Sequence, residues 1–90
     1  MPYIPISDQR VFGKILLELD ALVCNRGLSN GELNYLFTQL GLLYLKKHGK
    51  SYNTISDVVK GLECAKLEFY ARVARPYEDT KIQQNGDCYK

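Results

Sequence analysis

Apolar residues recur along this chain three or four positions apart, in three blocks separated by short polar breaks. In the first block, Val11, Phe12, Ile15, Leu16, Leu19, Leu22 and Val23 share one arc when residues are set about 100° apart. Lys14, Glu18 and Asp20 fall outside that arc. Ser7 or Asp8 supplies a capping oxygen, and Asn25-Arg26-Gly27 supplies a stop, so the spacing predicts a core-facing helix over about 7–24. The second block predicts a helix over 30–48, capped by Ser29 or Asn30. It ends at Gly49 after Lys46-Lys47-His48, whose cations suit the negative end of a helix dipole.

Leu33, Leu36, Phe37, Leu40, Leu43 and Tyr44 form the apolar arc of this second helix. Tyr35, Leu42 and Leu45 project from a different side. One core needs only one stripe. The second side therefore marks either a central place in the bundle or a subunit interface. The third block, capped by Ser51 or Asn53, predicts a helix over 53–75, because the residue before Pro76 disfavours helical geometry. Ile55, Val58, Val59, Leu62, Ala65, Phe69, Tyr70 and Val73 cluster on its inner side.

Residues 76–90 form a tail in which Pro76 is suited to open a short fourth helix and Asn85-Gly86 to end it. Tyr77, Ile82 and Tyr89 among alternating charges make a poor disordered segment, so the tail is expected to be ordered. The predicted fold is all-α: a single domain built as a three-helix bundle with an ordered C-terminal tail or short fourth helix, assembled as a homo-oligomer.

Charge narrows the function classes. Twelve basic against ten acidic side chains give a net +2, too balanced for a binder of duplex nucleic acid. No run of about 18 apolar residues crosses a membrane. The start Met1-Pro2-Tyr3-Ile4-Pro5 lacks the basic and apolar regions of a signal peptide. Cys24, Cys64 and Cys88 are an odd number with no CxxC pair, as befits reduced thiols, and a cytoplasmic location is expected. The single His48 lacks an obvious partner, the cysteines make no zinc spacing, and neither a phosphate-binding loop nor a nucleophile elbow is present. No catalytic residue, metal or cofactor is assigned, and a non-enzymatic protein is expected.

Binding chemistry concentrates toward the C-terminus. Lys66 falls inside the third helix's apolar arc, where it either snorkels beside Glu63 as a structural residue or meets a ligand anion at a pocket rim. Tyr70 lies one turn later on the same face. Arg72, Arg75 and Lys81 alternate with Tyr70, Tyr77 and Tyr89, the combination that stacks on a base and contacts a phosphate. The same residue types serve protein interfaces, and Glu78, Asp79 and Asp87 offer the arginines internal partners. Lys66, Tyr70, Arg72, Arg75, Tyr77 and Lys81 are the candidate ligand-binding residues, and Lys66, Tyr70 and Tyr77 are expected in one concave region together with Arg72 or Arg75.

Several stretches carry a family likeness. They are the start Met1-Pro2-Tyr3-Ile4, the step Leu33-Asn34-Tyr35, the run Leu62-Glu63-Cys64-Ala65-Lys66-Leu67-Glu68-Phe69-Tyr70, and Pro76-Tyr77-Glu78-Asp79 leading to Asn85-Gly86-Asp87 and Tyr89. Together they resemble a family of short bacteriophage and prophage proteins, a domain of unknown function. Members often carry valine where this chain has Cys88, which argues against a functional thiol there. The resemblance implies a phage context and action in the host cytoplasm. By analogy of size and context with small phage proteins, it implies an anti-defence role. The leading expectation is a sponge that sequesters a nucleotide-derived immune signal. A protein–protein inhibitor or adaptor acting on a host protein is the alternative, followed by a small nucleotide-cleaving enzyme.

Overall fold

A computed structural model describes residues 2–89. Met1, at the head of the family-like start, and Lys90, the last tail residue, lie outside the described residues. The chain runs through α1 (Ile6–Gln9), a 3-10 turn (Arg10–Phe12), α2 (Gly13–Arg26), α3 (Asn30–His48), α4 (Tyr52–Phe69), a π turn (Tyr70–Ala74) and α5 (Arg75–Asn85). No strand occurs among the described residues.

Local chemistry sets the ends. Ser29 accepts the Glu32 N–H while the Glu32 carboxylate accepts the Ser29 N–H, and Ser51 and Thr54 repeat the exchange at the start of α4. Gly27, Gly49 and Gly86 close α2, α3 and α5 with φ of 79°, 86° and 89°.

Two expectations about the helices need correction. The first helix is broken at Phe12, whose φ of −96° and ψ of 0° interrupt the α pattern. The third does not stop before Pro76; it continues through the π turn into α5, so Tyr52–Asn85 form one unbroken helical rod.

The tertiary arrangement departs further from a closed bundle. α3 and α4 pair as an antiparallel hairpin, whereas α2 packs along neither. The hairpin seam runs through Gly41, where a Cβ would lie 2.9 Å from Cγ1 of Val58. Beside it the Tyr44 hydroxyl donates to the Asp57 carboxylate at 3.1 Å. Leu45, read from the sequence as part of a second apolar side and a candidate interface residue, is half-buried one turn after Gly41. On a helical wheel, Leu33 and Leu40 lie about 100° to one side of Gly41 and Tyr35 and Leu42 about as far to the other. Both apolar sides of α3 thus flank the contact and are exposed.

The N-terminal arm, residues 3–26, is tied at its two ends to different helices. Tyr3 bonds Glu68 on α4, and Arg26 pairs with Glu32 on α3. α2 is therefore a strut; its stripe (Ile15, Leu16, Leu22, Val23) faces solvent, as do Val11 and Phe12 in the 3-10 turn before it. No side chain is buried among the described residues. The radius of gyration is 16.9 Å, against about 12 Å for a compact chain of this length.

Candidate functional site

The candidate site is built by Pro76. A proline inside a helix lacks the N–H for the bond four residues back, and its ring collides with that residue's carbonyl, here Arg72. The chain absorbs the defect by widening the turn before it: the Arg75 N–H donates to the Tyr70 carbonyl, five residues back. The wide turn holds one extra residue, so eight residues cover the two turns that seven cover in a pure α-helix. Tyr70 and Glu78 consequently line up, and the Tyr70 hydroxyl donates to the Glu78 carboxylate at 2.9 Å. That bond raises the Tyr70 phenol above its ordinary value of 10.0.

On α5, Tyr77 and Lys81 are one turn apart, and the Lys81 ammonium stands 5.5 Å from the centre of the Tyr77 ring. Beyond Gly86 the Tyr89 N–H donates to the Asp87 carboxylate at 2.8 Å, a turn closed by an acidic side chain. Glu78, Lys81, Ile82 and Tyr89 line a shallow cleft between α5 and these last residues. Arg75 makes no ion pair among the described residues.

The six sequence-chosen ligand residues are divided among three places. Tyr70, Arg75, Tyr77 and Lys81 belong to the α5 end of the rod. Arg72 is committed elsewhere: its Nε donates to Glu68 at 3.1 Å and its guanidinium lies 5.8 Å from the Tyr3 ring centre. Lys66 stays on α4, where it pairs with Glu63 at 3.7 Å and keeps a side chain 72% exposed. Of its two readings Lys66 takes the structural one, an exposed lysine paired with Glu63. The centre of the α4 apolar arc is uncovered, so its lysine stands in water. Of the interface residues, Tyr35 and Leu42 are exposed and Leu45 is not.

Sequence reasoning missed Tyr3 and Glu68, and it offered Glu78 to the arginines, whereas Glu78 accepts from Tyr70. Three of the seven tyrosines donate to carboxylates: Tyr3 to Glu68, Tyr44 to Asp57, Tyr70 to Glu78. The surplus of tyrosine over phenylalanine was the available signal, since a phenol reaches a carboxylate and phenylalanine does not. His48 stacks on Tyr44 at 4.4 Å between ring centres. The three cysteines are unbridged, and no group of potential metal ligands gathers among the described residues. No helix there is long and apolar enough to cross a membrane.

The arm's two attachments share one acid sensitivity. The Arg26 guanidinium, helped by the Ser29 N–H, holds the Glu32 carboxyl down at about 2, against an ordinary 4.5. The Tyr3 hydroxyl and then Arg72 hold Glu68 below its ordinary range. A depressed carboxyl stabilises the fold above its unfolded value and loses that contribution as pH falls through the folded one. Both attachments are therefore expected to hold above about pH 4.5; the Arg26–Glu32 pair releases as pH falls toward 2, and the Glu68 attachment weakens below the ordinary carboxyl range. Carboxyl NMR titration checks this; a Glu32 midpoint at the ordinary value would show that its pair with Arg26 does not persist.

No curated protein and no solved structure matches the chain. A family model described as Domain of unknown function (DUF6899) matches residues 1–88. With nearly the whole sequence inside that match, the chain belongs to this family.

Proposed function

We propose that this chain is a phage-encoded, non-enzymatic binding protein that works as a homo-oligomer in the host cytoplasm and counters host defence by sequestering a nucleotide-derived signal. The observation that carries the reading is the Lys81 ammonium over the Tyr77 ring at 5.5 Å, an aromatic face with a cation at its edge. The Tyr70 ring is half exposed on the same end of the rod, and Arg75 adds a second cation with no internal partner among the described residues. Bases stack on the tyrosines, and phosphates meet Lys81 and Arg75. Glu78 and Asp87 lower the positive potential there, so affinity rests on stacking more than on charge. Arg72 and Lys66, each already paired with a carboxylate, drop out of the proposed contacts.

Isothermal titration with a panel of mononucleotides and cyclic dinucleotides tests the site. Stacking contributes about 1–3 kcal/mol per base, so Tyr77→Ala is expected to weaken binding about tenfold, and Lys81→Met by a comparable factor. Lys66→Met is expected to leave affinity unchanged. Intact ligand released by heat denaturation marks a sponge, and altered ligand marks a nucleotide-cleaving enzyme. No nucleotide binding at all favours the second reading, an inhibitor or adaptor of a host protein. The exposed apolar side of α3 at Tyr35 and Leu42 supports that second reading.

A further inference from the structure

The accessible surface of the chain is 8273 Å². A compact monomer of 10.3 kDa exposes about 5400 Å². Roughly 2900 Å² per chain is therefore surface that a folded chain of this mass ordinarily hides. For two copies that is about 5800 Å² in all, at the upper end of the roughly 2,000–5,000 Å² or more that obligate interfaces bury summed over both partners, so the excess is of the size that a permanent assembly covers.

The surplus is apolar and placed in order. α2 shows Ile15, Leu16, Leu22 and Val23 along one stripe, Val11 and Phe12 are exposed in the 3-10 turn before it, and Leu17, on the opposite side of α2, is not part of the stripe. α4 shows Ile55, Val59 and Leu62 in the middle of its arc, because the α3 contact touches only the edge marked by Thr54 and Val58. A shallow groove runs along this α4 face between Tyr52 and Cys64. The linker Gly27-Leu28-Ser29 cannot simply fold α2 back onto the hairpin. The Arg26–Glu32 pair spans it, the Ser29 cap fixes its exit, and Tyr3 holds the far end of the arm.

We infer that the occupant of these faces is a second copy of this chain, whose helices complete the core that one chain lacks, so that folding and assembly are a single event. The inference deepens the oligomeric part of the proposed function and rests on it. A chain with no buried side chain among its described residues has little to hold it folded while it waits for a different partner. The partner present wherever the chain is made is another copy. A net charge of only +2 opposes self-association weakly. A two-fold arrangement, in which each copy offers the same faces to the other, is the simplest closed form.

The experiment uses the full chain, purified alone. Light scattering is expected to give at least twice the 10.3 kDa chain mass. The thermal midpoint is expected to rise with protein concentration, as assembly-coupled folding requires. Ile15→Glu is the decisive variant. Ile15 is 54% exposed in the single chain, so a glutamate there is harmless to a self-sufficient monomer. If a second copy covers it, the variant loses the assembled mass and its helical circular dichroism together. Leu17→Glu, on the opposite side of α2, is expected to keep both. A folded wild-type monomer at micromolar concentration, or an Ile15→Glu protein of unchanged mass and helicity, overturns the inference. Nucleotide titration is read separately: an assembly that binds no nucleotide removes the sponge and leaves this inference standing, and a nucleotide-binding monomer does the reverse.

Discussion

Gly41→Leu is expected to open the α3–α4 hairpin and lower stability by a net of roughly 1–2 kcal/mol. The seam leaves no room for a side chain, since the first added carbon would sit 2.9 Å from Cγ1 of Val58. Valine is β-branched and holds one rotamer in a helix, so it does not swing aside freely. Overpacking of this kind costs about 1–3 kcal/mol. Removing a glycine from a helix interior returns up to about 1 kcal/mol, so the clash wins. In a domain of this size each 1 kcal/mol shifts the melting midpoint by about 4–8 °C. Differential scanning calorimetry at one fixed protein concentration checks it. The smaller Gly41→Ala, made together with Val58→Ala, removes the clash and keeps the propensity gain, so the pair is expected to melt at or above the wild-type midpoint. A Gly41→Leu protein as stable as wild type would show that α3 and α4 do not approach closely at this point in solution.

Pro76→Ala is expected to separate stability from the candidate site. Alanine restores the N–H and removes the ring, and a proline in a helix interior is about 3 kcal/mol less favourable than alanine. The defect that the π turn absorbs is then gone, and the rod is expected to relax to a regular α-helix. Dropping the extra residue rotates everything after it by about 100°. Tyr70 and Glu78 no longer line up, and Tyr77 and Lys81 turn to another side of the rod relative to α4. The variant is expected to melt higher than wild type and to bind the nucleotide panel more weakly. The Tyr70 phenol, raised in the native protein by Glu78, returns toward its ordinary value, which ultraviolet titration of the phenolate reads directly. An unchanged Tyr70 titration in this variant would mean that the wide turn persists without the proline and has another cause.

Both predictions depend on features that a one-dimensional reading treats unevenly. The second helix was legible almost residue for residue, Asn30–His48 with its Ser29 cap, because its start, periodicity and stop are all local signals. The same holds for the end of α5 at Gly86, where the chain needs a positive φ. Pro76 does stand in the first turn of a short helix, α5, as its sequence suggests, but it does not stop the helix before it. The rule about the residue before a proline describes a preference of the pure α geometry, and a π turn satisfies it without ending the helix. The break at Phe12 left no mark in the apolar spacing.

Within the candidate site, sequence found the residue types and not their partners. Tyr77 and Lys81 are neighbours because four residues make a helical turn, so their pairing was open to wheel arithmetic. The Arg72–Glu68 pair is one turn long and was open to the same arithmetic, but Tyr3, which completes it, docks from 65 residues away in sequence. Lys66 beside Glu63 was legible, and its exposure was not. An apolar arc tells which face wants to be covered, and nothing in its period tells what covers it.

The sequence by itself therefore determined the span of α3, the Ser29 and Ser51 caps, the glycine stops, the apolar stripes and the chemistry of the C-terminal end, all of which arise from contacts within a few residues. The cap expected from Ser7 or Asp8 does not form, since the first helix starts after Pro5 with no side-chain cap. Only the tertiary structure decided that α3 meets α4 on the Gly41 seam, that α2 is a strut fastened at Tyr3 and Arg26, and that the stripes have no cover inside one chain. The physical reason is that periodicity records the demand for burial. Which surface meets that demand is set by long-range packing, and here the single chain leaves it unmet.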